Sequence, residues 1–316
     1  MDEPVLSADR QMVSLWALGG LTWRELIRRV WGGIARNDLI NRAYELAYNF
    51  LLAVFPMLLF LIGLLGIFAA EGSKLRSDLF YSFQLVLPPS AYDLIVHTMR
   101  EVSLTSNGGK LAFGLLFALF AGSSGMTQLM STLNAAYEVR ESRAWITVHL
   151  VSLGLTLAMS VLLIAALLLI LAGGHAVLSL GRDVGLNTAA FVAIKILQWI
   201  VALTFVVSTF AIIYHFAPNV HGQHWYWLTP GSVVGVAVWA AASAGLRIYL
   251  HFFNSYTRVY GSVGAVIVLM VWFYVTGLAF LIGGQINATI EHAAAEHGHV
   301  AAKVPGEKAT PRAQAA

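Results

Sequence analysis

Between Leu46 and Ala70 the chain runs for 25 residues, LAYNFLLAVFPMLLFLIGLLGIFAA, without one charged side chain. A helix rises about 1.5 Å per residue, so such a block reaches across the roughly 30 Å of a bilayer's hydrocarbon. Lipid offers no water to the backbone, so each apolar block must close its own hydrogen bonds, and a helix does this within one segment. Further blocks follow at about 111–133, 146–172, 188–216, 230–250 and 262–290. The expected class is all-α: a polytopic membrane protein, a bundle of about six transmembrane helices with amphipathic interfacial helices. Composition agrees, since 11% of the chain is charged where a soluble domain carries about 25%.

The remaining segments are read around those spans. Residues 1–20 are expected to be a flexible lead, 21–291 the transmembrane domain and 292–316 a disordered cytoplasmic tail. The first residues are acidic and lack the basic region and cleavable apolar run of a signal peptide. The first span is therefore expected to serve as its own insertion signal. Leu26, Ile27, Val30, Trp31 and Ile34 recur at helical spacing beside Arg24, Arg28 and Arg29. That pattern fits a basic amphipathic helix on the membrane surface, or a cytosolic lead-in packed on the bundle. Pro56 inside the first span removes one backbone donor and frees the carbonyl of Leu52, which predicts a kink. Two short interfacial helices are expected between Glu71 and Lys110, broken at Pro88-Pro89. Gly173-Gly174 is expected to end the third span, and a tight Tyr260-Gly261 turn to precede the sixth.

Lys and Arg fall unevenly on the two sides of these spans. Eleven stand with the N-terminal segment, the second loop and the tail, against six on the other side. The positive-inside rule then places both termini in the cytoplasm.

Small residues let helix backbones approach where no hydrophobic drive brings them together. Gly114, Ala118 and Gly122 recur four apart in the second span, Gly231 and Gly235 in the fifth. In the sixth, Gly261 precedes Ala265 by four and Gly284 precedes Ala288 by four. These faces suit contacts within one bundle or between two copies of the chain.

Chemistry-bearing patterns are sparse. Cysteine is absent, which excludes disulfides and thiol catalysis. No H-E-x-x-H helix, phosphate-binding loop or G-x-S-x-G elbow occurs. No catalytic residue, metal, cofactor or nucleic-acid partner is expected; the expected partner is the lipid bilayer. His292, His297 and His299 with Glu291 and Glu296 form a tail cluster suited at most to adventitious metal. His221 and His224 beside Trp225 and Trp227 read as interfacial anchors. Polar residues within spans are the candidates for function. Lys195 and Gln198, three apart in the fourth span, share one helical side and are expected to face a polar cavity; the alternative is a Lys195 that snorkels to the surface. Glu45 and Asn49, four apart at the mouth of the first span, form a second polar patch near Pro56, unless Glu45 simply reaches the interface. Gln285 and Asn287 are expected to hydrogen-bond between helices, and Arg247 to snorkel.

Two stretches carry a family resemblance. LAYNFLLAVFPMLLFLIGLLG resembles the opening of the YihY/virulence factor BrkB family, and YLHFFNSYTRVYGSVGAVIVLMVWFYVTGLAFLIGGQINATIE resembles its closing signature. NAAYEVRESRAW and FAPNVHGQHWYWLTPG also fit, so the likeness covers about residues 25–291. Where many relatives have Gly-Ala-Glu before the final Asn, this chain has Gly284-Gln285-Ile286-Asn287, so the resemblance carries over no essential acid at that place. The resemblance implies a six-span inner-membrane protein with both termini cytoplasmic. The family once bore the label ribonuclease BN, and relatives are connected to virulence and serum resistance. The sequence offers no metal cluster or RNA-binding module to support the nuclease label. Two roles stay open: transport or permeation of an unnamed substrate, and a non-transporting envelope-integrity scaffold.

Overall fold

The structure, a computed structural model, describes residues 15–68, 108–183, 188–220, 228–252 and 255–297, with single positions between 77 and 100. A 3-10 helix, Leu15–Gly20, leads into α1 (Trp23–Arg36) and α2 (Leu39–Phe68). Then follow α3 (Gly108–Ala136), α4 (Trp145–Asp183), α5 (Thr188–Phe216), α6 (Pro230–Phe252) and α7 (Ser255–Glu296). No strand occurs among the described residues. Five of these helices are long and apolar enough to cross a membrane, over Ala112–Ala136, Trp145–Ile170, Val192–Phe216, Pro230–Tyr249 and Val266–Glu296. The uncharged block that begins at Leu46 lies in α2 as far as Phe68, in one helix with Pro56 inside it. The protein is an all-helical polytopic membrane protein, as its sequence predicts.

Several boundaries differ from expectation. Gly173-Gly174 does not end α4, which stays helical to Asp183. No turn forms at Tyr260-Gly261; α7 begins at Ser255 and runs on to Glu296, into the expected tail. A glycine inside a helix costs about 1 kcal/mol, whereas an unsatisfied backbone group in apolar surroundings costs several. The helix therefore persists through both pairs. The segment Leu15–Gly20 belongs to the expected flexible lead, yet it packs on α7. Gly19 has φ +60°, and a Cβ there would meet the Ile290 carbonyl and the Ala294 backbone. Only glycine permits so close an approach with that backbone. The helices expected between Glu71 and Lys110, the loop with His221 and His224, and the tail from residue 298 lie outside the described residues.

Helix α1 shows why both readings of its segment had merit. Thr22 caps it, accepting a hydrogen bond from the Glu25 backbone N–H at 3.4 Å, with Glu25 in the first turn and Arg36 in the last. Leu26, Val30, Gly33 and Ile34 are buried, and the helix packs on α7. Trp23, Ile27 and Trp31 on another side are 59%, 65% and 71% exposed, as a membrane-surface helix requires.

The chain divides into two compact units. Unit 1 comprises Met1–Leu51, Thr127–Val151 and Phe210–Ala316, and unit 2 comprises Leu52–Met126 and Ser152–Thr209. In unit 2, Phe60, Ala118 and Leu119 form a small core against Met57, Leu115 and Leu153. A Cβ on Gly122 would press on the Met57 backbone, so this glycine sets the approach of α3 to α2. In unit 1, α6 and α7 meet along glycines. A Cβ on Gly231 would strike the Gly283 carbonyl and Asn287; one on Gly235 would crowd Tyr214 and Phe210; one on Gly284 would strike Leu133. Tyr214 is buried in this seam, its Oη donating to the Phe280 carbonyl at 3.0 Å. Gly114 instead faces open space, and the surroundings of Gly261 are not among those described.

Candidate functional site

Three hydrogen-bonded junctions gather helix ends within unit 1. The first caps α6. Thr229 and Ser232 exchange bonds, each backbone N–H donating to the other's side-chain oxygen at 3.0 Å. From α7, Asn287 Oδ1 accepts from the Gly231 N–H at 2.9 Å and its Nδ2 donates to Thr229 Oγ1 at 3.0 Å. A buried helix start leaves donors that must be satisfied, and Asn287 supplies what the cap lacks.

The second junction explains NAAYEVRESRAW. Arg143 forks onto Glu141 at 2.7 and 2.8 Å and also donates to the carbonyls of Phe216 and Ala217, at the end of α5. A cation there suits the negative end of the helix. Asn134 donates to Glu141 at 2.8 Å and accepts from the Asn219 N–H at 2.7 Å. Asn219 in turn donates to the Arg140 carbonyl and Ser142. Burial works to raise the Glu141 pKa, but hydrogen bonds from the Arg143 side chain and backbone and from Asn134 hold it below the usual carboxylate range.

The third junction borders a half-open pocket of about 400 Å³ lined mostly by polar side chains. Helix α1 contributes Arg28, Arg29, Gly32 and Arg36; the turn after α3 contributes Glu138; α7 contributes Gln285, Thr289, His292 and Glu296. Arg29 donates to Glu296 at 2.7 Å and Glu25 at 3.1 Å. Its pKa lies above the ordinary arginine value, chiefly through Glu296, against an opposing burial effect and with Glu25 assisting. Arg36 pairs with Glu138 at 3.1 Å while its side chain stays 68% exposed. Asn37 donates to Gln285 at 3.2 Å and to Glu138 at 3.4 Å. Gln285 donates to Thr289 at 3.3 Å, and His292 bonds the Tyr137 backbone. Arg28 has no ion pair among the described residues. A Cβ on Gly32 would meet nothing within 4 Å. The pocket thus presents an unpaired guanidinium beside open space, which can bind an anion.

The polar residues singled out within the sequence lie elsewhere. Gln198 is buried and donates to the Leu169 and Ile170 carbonyls at 2.8 and 3.2 Å, tying α5 to α4. Lys195 is half-buried and lines a groove of about 480 Å³ with Val192, Ile196, Trp199, Ile200 and Leu203, all on α5. Three residues apart on a helix are offset by about 60°, enough to separate these two surroundings. Asn49 donates to the Glu45 carbonyl at 2.8 Å, one turn back, and Glu45, exposed, accepts from Gln128 at 3.3 Å. Arg247 is exposed. Gln285 and Asn287 both bond to other elements of unit 1. No cluster of three His, Asp or Glu suited to a metal is found among the described residues.

Sequence reasoning missed the pocket. Its arginines were visible but served equally well as interfacial charges, and His292 and Glu296 were assigned to the tail. The recurrence of Arg28, Gly32 and Arg36 four apart was the available signal. Only the continuation of α7 through residue 292 brings the acidic and imidazole side chains to it.

Comparison with known proteins bears on these segments directly. YfkH of Bacillus subtilis (strain 168), whose name calls it ribonuclease-like, is 33% identical over 79% of this chain and 89% of its own length. A UPF0761 membrane protein of Vibrio vulnificus (strain YJ016) is 26% identical over 90% of this chain and 88% of its own. A UPF0761 membrane protein of Psychromonas ingrahamii is 25% identical over 83% and 86%. No solved structure matches. Neither the family's description nor the membrane-protein name shared by the Vibrio and Psychromonas relatives assigns an enzymatic reaction. The model of the virulence factor BrkB family matches residues 30–306, a range that holds α2 to α7, the first two junctions and all of the third except Glu25, Arg28 and Arg29, and the chain belongs to that family.

Proposed function

We propose that this protein crosses the bacterial inner membrane six times, keeps both termini in the cytoplasm, and passes an anionic solute. Support for the topology comes from unit 1, where the ends of α3, α5 and α7 meet the starts of α2, α4 and α6 through the junctions above. Helices that alternate in direction return the chain to one side after an even number of crossings. The basic residues of α1 and of the α3–α4 loop stand on that side, as cytoplasmic segments do.

The observation that carries the solute reading is the pocket with its unpaired Arg28. Protein reconstituted in liposomes under a valinomycin-set potential tests it, with chloride, inorganic phosphate and small carboxylates as probes. Wild type should pass at least one of these above the rate of empty liposomes, and Arg28→Gln should cut that flux about tenfold. Background flux for every probe favours the second reading, a non-transporting scaffold for envelope integrity. That reading is supported by Gln198 and Asn287, which spend their amides on neighbouring helices. Neither role includes a nuclease: the pocket's carboxylates are engaged by arginines. Metal-dependent tRNA cleavage that survives purification and is lost in Glu138→Gln would contradict this.

A further inference from the structure

Four features of α1 meet at the pocket rim. Arg28, Gly32 and Arg36 stand at successive turns of one helical side, so two arginines separated by about 12 Å of rise flank a position without a side chain. Arg29 is engaged by Glu25 and Glu296, whereas Arg28 is unpaired among the described residues and Arg36 gives only part of its fork to Glu138. The guanidinium fork matches the geometry of phosphate oxygens. Next to this polar side runs the exposed stripe of Trp23, Ile27 and Trp31. Trp31 is offset from Arg28 by only about 60° around the helix. In a membrane protein, such a stripe settles at the boundary of headgroups and acyl chains, which sets Arg28 at phosphate depth.

We infer that this pocket binds the phosphate of an anionic phospholipid headgroup, held by Arg28 and Arg36 across Gly32, with the acyl chains lying along Trp31 and Ile27. The inference deepens the anion-pocket reading and rests on it. Free phosphate offers the same oxygens, but it has no use for the apolar stripe beside the arginines. A lipid uses both.

The test follows thermal unfolding of the full chain in a neutral maltoside detergent, because a ligand that binds the folded state raises its midpoint. Phosphatidylglycerol should raise the midpoint saturably, with half-effect at least tenfold below that of phosphatidylcholine. Arg28→Gln should weaken the phosphatidylglycerol response about tenfold, Arg28→Lys should retain part of it, and Arg24→Gln, outside the pocket, should leave it unchanged. Arg28 is exposed and unpaired, so its substitution leaves the fold intact. If inorganic phosphate acts as well as phosphatidylglycerol and both depend on Arg28, the lipid inference fails while the anion pocket stands. If neither response depends on Arg28, both readings fall. An equal loss in Arg24→Gln reduces the effect to diffuse surface charge and overturns the inference.

Discussion

Unit 1 and unit 2 solve the same problem, apolar helices side by side, with different chemistry. In unit 2 the hydroxyls mostly bond backward to their own helix: Thr156 to the Ser152 carbonyl at 2.7 Å, Ser160 to Thr156 at 2.6 Å, Thr204 to Ile200 at 2.9 Å. Such bonds satisfy the side chain but do not choose a neighbour. Its contacts are largely side-chain packing around Phe60, Ala118 and Leu119. In unit 1, amides, carboxylates and guanidinium groups bond to helix ends and loops far away in sequence. Asn287 reaches Gly231, Asn134 reaches Asn219 and Asn37 reaches Gln285. The contrast teaches where this protein fixes its geometry. Dispersion packing tolerates sliding by a fraction of a turn, whereas a bidentate amide on a helix start does not.

Substitutions can break that contrast. The largest effect is expected for Gly231→Val, because its Cβ would strike the Gly283 backbone carbonyl and the Asn287 side chain, which is held by its bonds to Gly231 and Thr229. Overpacking of this kind costs about 1–3 kcal/mol or more, so accumulation in membranes should fall severely. Gly114→Val, facing open space, should accumulate nearly as wild type. If both variants behave alike, the glycines of α6 do not set its approach to α7.

Next come the two amides. Asn287→Ala leaves the buried Gly231 N–H without its acceptor and takes one of two donors from Thr229 Oγ1, a loss of about 1–3 kcal/mol. Gln198→Leu removes one tie in unit 2 and relieves Oε1, which is buried with no partner among the described residues. Interhelical bonds in bilayers average about 0.6 kcal/mol, so its thermal midpoint should move much less. A larger shift for Gln198→Leu would reverse the ranking of the units.

A pH series sharpens the comparison further. The depressed Glu141 carboxyl contributes stability that is complete above its ordinary pKa of 4.5 and is lost as the pH falls through the lower folded value. Unfolding midpoints measured from neutral to acidic pH should drop in that window for wild type, and less steeply for Glu141→Gln. A parallel drop in both would remove Glu141 from the account.

The smallest effect is expected at Lys195. Its half-buried side chain lines an apolar groove on α5, without an ion pair or hydrogen bond among the described residues. Lys195→Met should accumulate as wild type and leave flux unchanged. A large loss of flux with normal accumulation would move the solute path into unit 2 and return Lys195 to the centre of the mechanism.

The helical class and most helix positions were legible in the residues alone, because a long apolar run in lipid closes its backbone hydrogen bonds within one helix. The block from 188 to 216 coincides with Thr188–Phe216, and Pro230 starts α6 as a proline at a helix start should. The glycine spacing of Gly231 and Gly235 was likewise legible. Tertiary structure decided the rest. Gly114 has the same spacing pattern as Gly122, yet only Gly122 meets a neighbouring backbone, since periodicity names a face without naming what lies opposite. Gly173-Gly174 and Tyr260-Gly261 looked like stops, but an apolar setting makes a broken hydrogen bond costlier than a glycine. The pocket depended on three remote segments, α1, Glu138 and the end of α7, and no local pattern encodes their meeting. Arg28 and Arg36 read as surface charge until the fold brought His292 and Gln285 beside them.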